Sequence, residues 1–251
     1  MPLDKVRIRF RKSGDLRLVS HLDLMRSFER MLRRAALPFR MSQGFHPTPR
    51  LVLAQSLPLG LIGAAEVAEL ELTEELEPAE VLRRLREQAP PGIEFLSATR
   101  IPLKTTARPR RAMYRVLIAN PPTDLQHRIA GLLESTEVWA DRERPRPRQV
   151  NIRPYVDALT IRGGEVHLTL WVTQEGSARA GEIAQAIGIA NPGIIERVNL
   201  ELLDEVPPEE ADRTPKIEPQ SRPLNRVLSA EPVPAAPRET WGATANGPIV
   251  E

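Results

Sequence analysis

Val6-Arg7-Ile8-Arg9-Phe10-Arg11 alternates apolar and cationic side chains one by one. A period of two sends successive side chains to opposite faces, so this stretch predicts a strand with one buried face and one face of arginine. Lys12-Ser13-Gly14-Asp15 is turn chemistry. Past it the period lengthens. Ser20 reads as a helix cap with Asp23 three positions on, a capping box shortened by Asp in place of Glu. A helix is expected over residues 21–36, with Leu22, Met25, Phe28 or Glu29, Leu32 and Ala35 or Ala36 as its apolar stripe. Arg26, Arg30, Arg33 and Arg34 share another face, because residues three and four apart are helix neighbours. Pro38 ends the helix.

Strand segments follow at residues 40–43 and 50–55, around a loop with one glycine, Gly44, and two prolines, Pro47 and Pro49. Residues 66–72 alternate as a strand, Pro78 opens a helix to about Gln88, and residues 93–98 form a further strand. Strand, helix, strand, strand, helix, strand is the order of the ferredoxin-like split βαβ unit. A second block, with a strand at 114–119, a helix at 124–135, strand-like segments at 138–140, 150–155, 158–162 and 165–173, a helix at 178–187 and a strand at 198–203, reads as a second copy. Gly163-Gly164 marks a hairpin turn in it. The expected architecture is therefore α+β: two tandem ferredoxin-like domains, 1–100 and 112–206, joined by a basic linker at 101–111. From Pro207 the composition turns to Pro, Glu, Ala and Thr without apolar periodicity, which predicts a disordered tail over 207–251.

Composition narrows the chemistry. The chain has no cysteine, which excludes disulfides, thiolate metal sites and cysteine nucleophiles. His21, His46, His127 and His167 are far apart and show no ligand spacing, and no metal site is expected. No Walker or dinucleotide glycine pattern occurs, so no cofactor is expected. No apolar run reaches the roughly 20 residues of a membrane helix, and a cytoplasmic location is expected. The net charge of +2 hides an asymmetry: residues 1–60 hold twelve Lys and Arg against four Asp and Glu, while residues 61–95 hold nine Glu against three Arg. Such a basic segment points to an anionic partner.

Leu18-Val19-Ser20-His21-Leu22-Asp23-Leu24, Leu32-Arg33-Arg34-Ala35, Ser42-Gln43-Gly44-Phe45-His46-Pro47 and Leu57-Pro58-Leu59-Gly60 together resemble the bacterial radical-SAM-linked domain of unknown function. Asn151-Ile152-Arg153-Pro154-Tyr155 resembles its second motif, where Asp is more usual than Asn151. The resemblance spans about residues 5–205. It implies a stand-alone member, a radical SAM protein as partner, and a setting of RNA or ribosome metabolism. Without a three-cysteine motif the chain performs no radical SAM chemistry itself.

The candidate RNA-binding residues are Arg26, Arg30, Arg33, Arg34, Gly44, His46 and Arg50, joined by Arg7, Arg9, Arg11 and Lys12. Gly44 permits close backbone approach, His46 donates or accepts, and Arg50 grips a phosphate. A solvated helix face and a proline-stiffened turn are the plainer readings of the same residues. Stacking residues are scarce: of Phe10, Phe28, Phe39 and Phe45 in this half, Phe10 and Phe28 read as core, which argues against base stacking across a sheet face and for backbone or shape recognition. The expected function is a non-catalytic accessory protein that binds RNA or ribonucleoprotein, with no catalytic residue assigned. The alternatives are a protein-interaction subunit of a radical SAM enzyme without RNA contact, and a metal-independent ribonuclease using His46.

Overall fold

The alternating stretch lies in β1 (Asp4–Lys12) of the computed structural model, which describes residues 4–224. Val6, Ile8 and Phe10 are buried under α1 (His21–Arg34) and α2 (Pro78–Gln88). Phe10, Phe28 and Phe95 meet there with ring centroids 5.0–6.4 Å apart, in edge and tilted contacts worth about 0.5–1.5 kcal/mol each beyond their buried area. Between the helices come β2 (Leu51–Leu53) and β3 (Ile62–Leu72), and β4 (Ile93–Arg100) follows α2. The strands lie in the order β4-β1-β3, with β2 also on β3, all antiparallel.

The second half contributes β5 (Pro109–Leu117), α3 (Leu125–Glu134), β6 (Trp139–Arg142), β7 (Arg148–Asn151), β8 (Val156–Arg162), β9 (Glu165–Trp171), α4 (Ala180–Ala186) and β10 (Ile195–Leu202). Its main strands lie in the order β10-β5-β9-β8, again antiparallel. Ile62 and Gly63 of β3 pair in parallel with Glu196 and Arg197 of β10, so one eight-stranded sheet runs through both halves. Two apolar clusters form, one within the first half and one in the second that also takes Val67 of β3. The molecule is mixed α+β. Among the described residues no helix is long and apolar enough to cross a membrane.

Several expectations shift. Helix α1 stops at Arg34, because Ala36 adopts a left-handed backbone (φ 47°) and Leu37 N–H bonds back to Leu32 C=O at 3.2 Å. Its buried stripe is Leu24, Phe28, Met31 and Leu32, whereas Leu22 is 68% exposed. Two of the linker arginines are strand residues: Arg110 and Arg111 lie in β5 and pair with Glu201, while Arg108 precedes the strand. Residues 207–224 are not a free tail. They form α5 (Pro208–Ala211) and β11 (Ser221–Pro223), which pairs with β7 in a second, three-stranded sheet with β6. Ile217 is buried in the second core, and one apolar anchor plus backbone pairing leaves no periodicity to read. The rest of the expected tail, 225–251, lies outside the described residues.

At the junction of the halves Arg197, 1% exposed, bonds Glu66 through Nε at 2.8 Å and again through Nη2. Gln55 accepts from the same guanidinium with its side chain at 2.9 Å and its backbone carbonyl at 3.1 Å. Burial works against this charge, but Glu66 and Tyr114 hold the guanidinium pKa above its ordinary range. Removing one partner strands the other in a dry site. Arg197→Met should therefore cost about 3–5 kcal/mol in urea unfolding, and Glu66→Leu combined with Arg197→Met should recover most of that loss. An additive double variant would contradict the coupling.

Glu201 offers a pH test. Burial raises its carboxyl, but Arg111 and Arg110 outweigh burial and hold it below the usual range. A depressed native pKa adds stability above the unfolded value, about 4.3, and loses it as pH falls through the native one. Glu201→Gln should lower the melting temperature most near neutral pH, with the gap to wild type closing below about pH 4.

Candidate functional site

Helix α1 carries the cationic face. Ser20 caps it: its hydroxyl accepts from Asp23 N–H at 3.2 Å and donates to the Asp23 carboxylate at 2.8 Å. The serine half of the expected capping box forms, while the Asp23 carboxylate accepts from the Ser20 hydroxyl and, among the described residues, not from the Ser20 backbone N–H. The Ser20 hydroxyl and the Arg26 guanidinium hold the Asp23 carboxyl below its usual range. Arg26, Arg30, Arg33 and Arg34 are all exposed, opposite the buried stripe. Arg26 pairs with Asp23 at 3.0 Å and Arg33 with Glu29 at 2.8 Å, and Arg34 donates to Gln88 C=O at the end of α2 at 3.1 Å. Arg30 makes no hydrogen bond or ion pair among the described residues.

Residues 40–50 form a pinned hairpin beside β3. Arg50 N–H donates to Arg40 C=O at 2.8 Å, Met41 bridges Pro49, and Ser42 N–H donates to Thr48 C=O at 2.7 Å. Thr48 N–H donates to the Ser42 hydroxyl at 2.9 Å. Gly44 has φ +142°, and a Cβ there would meet nothing within 4 Å, so the backbone rather than space asks for glycine. Phe45 at the tip is 102% exposed, beside exposed His46. Arg33 lies over the Phe39 ring at 5.7 Å, which seats the last turn of α1 against the hairpin base. Arg40 pairs with Glu71 at 2.8 Å, while the Arg50 side chain is without a partner among the described residues. The structure thus groups Arg33 with the hairpin that carries Gly44, His46 and Arg50.

The β1 cations do not belong to this surface. Glu69 sits opposite Arg7 in the β1–β3 register and pairs with both Lys5 and Arg7 at 2.8 Å. Arg7 also binds Asp204 at 2.7 Å and Glu205 at 3.3 Å, and Arg9 binds Glu205. Arg11 reaches Glu196 at 3.7 Å. Lys12 is 2% exposed and donates to Val19 C=O, and burial lowers its pKa. The acidic segment after residue 61 is folded against the basic one before it, so much of the excess positive charge is neutralised within the sheet.

The remaining candidates separate. Among the described residues no hydrogen bond joins His21 to His46, and no cluster of three or more His, Cys, Asp or Glu is placed to hold a metal. Arg142 is tied to Glu182 at 2.7 Å, which leaves Arg144 and Arg146 exposed on the β6–β7 turn. The second motif is architectural. Asn151, 1% exposed, accepts from Val138 N–H at 2.9 Å and Arg153 N–H at 3.2 Å, and its amide donates to Gln220 at 2.7 Å. That donation uses the amide that Asn has and Asp lacks. Sequence reading missed a cavity of about 890 Å³ between Ala54, Arg108, Thr173 and Lys216. It is built from five separate segments and leaves no local signal.

Residues 5–181 match the family described as "Uncharacterized protein conserved in bacteria (DUF2344)". The fold above is mixed α+β, and this chain belongs to that family. No curated protein matches it. A crystal structure of an unknown protein from Galdieria sulphuraria is similar at 9% identity and a TM-score of 0.23, over 66% of this chain and 78% of that one. At that level the two need not share a fold.

The cap positions the cationic helix. Ser20→Ala should cost about 1 kcal/mol of stability, against a few tenths for Ser20→Gly, read as a shift in thermal midpoint. Equal losses in the two variants would show that the hydroxyl is not what caps α1.

Proposed function

We propose that this chain is a non-catalytic accessory protein that binds RNA through the outer face of α1 and the 40–50 hairpin. The observation that carries this reading is the pairing of a rigid hairpin with a helix face that holds four exposed arginines. Among the described residues the guanidinium groups of Arg30 and Arg50 make no hydrogen bond or ion pair, although Asp23 lies within electrostatic reach of Arg30, so a phosphate would not have to break a direct carboxylate contact there. Phosphate contacts of this kind position a strand without reading its sequence. Each half also repeats one strand order, β4-β1-β3-β2 and β10-β5-β9-β8, with the β6–β7 hairpin inserted after α3 in the second. This supports two copies of the ferredoxin-like split βαβ unit fused along β3 and β10. The chemistry would lie with a partner, and a radical SAM enzyme is the one that the family resemblance implies.

A protein-docking reading without RNA draws on a different feature. Gly60 N–H donates to Arg17 C=O at 2.8 Å, joining the segments that carry exposed Leu18 and Leu59.

Affinity for single-stranded RNA should fall steeply with salt, with a log–log slope of about −0.7 per phosphate contact. Arg30→Glu and Arg50→Glu should each weaken binding and flatten the slope by about 0.7, measured by fluorescence anisotropy across a salt series. Salt-independent binding, or wild-type slopes in both variants, would contradict the reading.

A further inference from the structure

The exposed ring at the hairpin tip has no structural task. Phe10 and Phe28 are buried, and Phe39 lies half-buried beneath Arg33. Phe45 by contrast is 102% exposed, although burying a phenylalanine side chain is worth about 1.5–3 kcal/mol. Its hairpin is pinned by the 42–48 and 40–50 hydrogen bonds, and Pro47 and Pro49 fix backbone φ. Ordering the tip on a ligand therefore costs little entropy.

We infer that Phe45 is a base-stacking residue, taking one unpaired nucleobase of an RNA strand whose phosphates lie on Arg50 and the α1 arginines; this rests on the RNA-binding reading above. The neighbours of Phe45 decide between ligand classes. Gln43, Gly44, His46 and Thr48 are exposed and not apolar, and exposed Pro47 is the one other apolar side chain of the tip, a smaller apolar area than the core of a protein interface requires. A nucleobase requires only one ring face, and its phosphate requires a nearby cation. Arg50 stands on the 40–50 rung at the base of the stem, five residues from Phe45 and at most about 16 Å from it at roughly 3.3 Å per residue. Bases stacked inside an A-form duplex do not present a face to the ring, so the ligand is single-stranded or bulged RNA.

The test uses the full chain, a labelled single-stranded oligouridylate, an abasic strand of the same length and charge, and a duplex. Wild type should bind the base-bearing strand roughly five- to a hundred-fold more tightly than the abasic one, the range of one aromatic–base stack. Phe45→Ala should lose that preference while keeping the salt slope and the duplex affinity, and Phe45→Trp should restore it. The thermal midpoint of Phe45→Ala should match wild type, since the side chain is fully exposed. If Phe45→Ala binds the oligouridylate as wild type does while Arg50→Glu weakens it, stacking is wrong and the RNA reading stands. If wild type binds none of the three RNAs, the RNA reading falls and stacking with it. Loss of a co-purifying protein in Phe45→Ala, with RNA affinity unchanged, would assign the ring to a protein partner and overturn the inference.

Discussion

Opposite charges facing each other across β1, β3 and β10 hold the two halves of this molecule in register. Arg197 and Glu66 meet where the parallel seam begins, and Arg7 gathers Glu69 of β3 with Asp204 and Glu205 beyond β10. A buried guanidinium without these carboxylates would be untenable, and so would the carboxylates without it. The parallel pairing of β3 and β10 covers only two residue pairs. The ion pairs therefore select this junction where backbone hydrogen bonding alone would specify it weakly.

Their placement also decides what the surface offers. An arginine-rich strand that reads as a binding face is mostly used inside the fold. The cations left for a partner include those of α1, whose paired carboxylates are short-range helix neighbours, and Arg50 on the hairpin stem. Exposed helix pairs such as Arg26–Asp23 contribute little to stability and open readily for a stronger anion.

The fold was legible wherever one side chain in two or in 3.6 met a single core. The alternation in β1 and the runs that became α2 and β9 are of that kind. The expected stripe of α1 holds at Phe28, Leu32 and Ala35 but fails at Leu22, which lies at the exposed start of the helix, and its end was misplaced because Ala36 does by backbone conformation what Pro38 was expected to do. Residues 207–224 were illegible because β11 is held by backbone pairing to β7 and by one apolar side chain. For the site, the helix arginines and the hairpin residues could be named from local pattern. The fate of the β1 cations could not, since their partners lie up to 198 positions away.

The seam between β3 and β10 joins residues 62–63 to residues 196–197. During synthesis the amino-terminal strands can assemble long before their last neighbour leaves the ribosome. In that interval the first residues of β3 present an unpaired sheet edge, with Glu66 lacking its arginine, and such edges template pairing with other chains. The same long-range closure that makes one sheet of two halves therefore sets the window in which a half-made chain is open to misassembly.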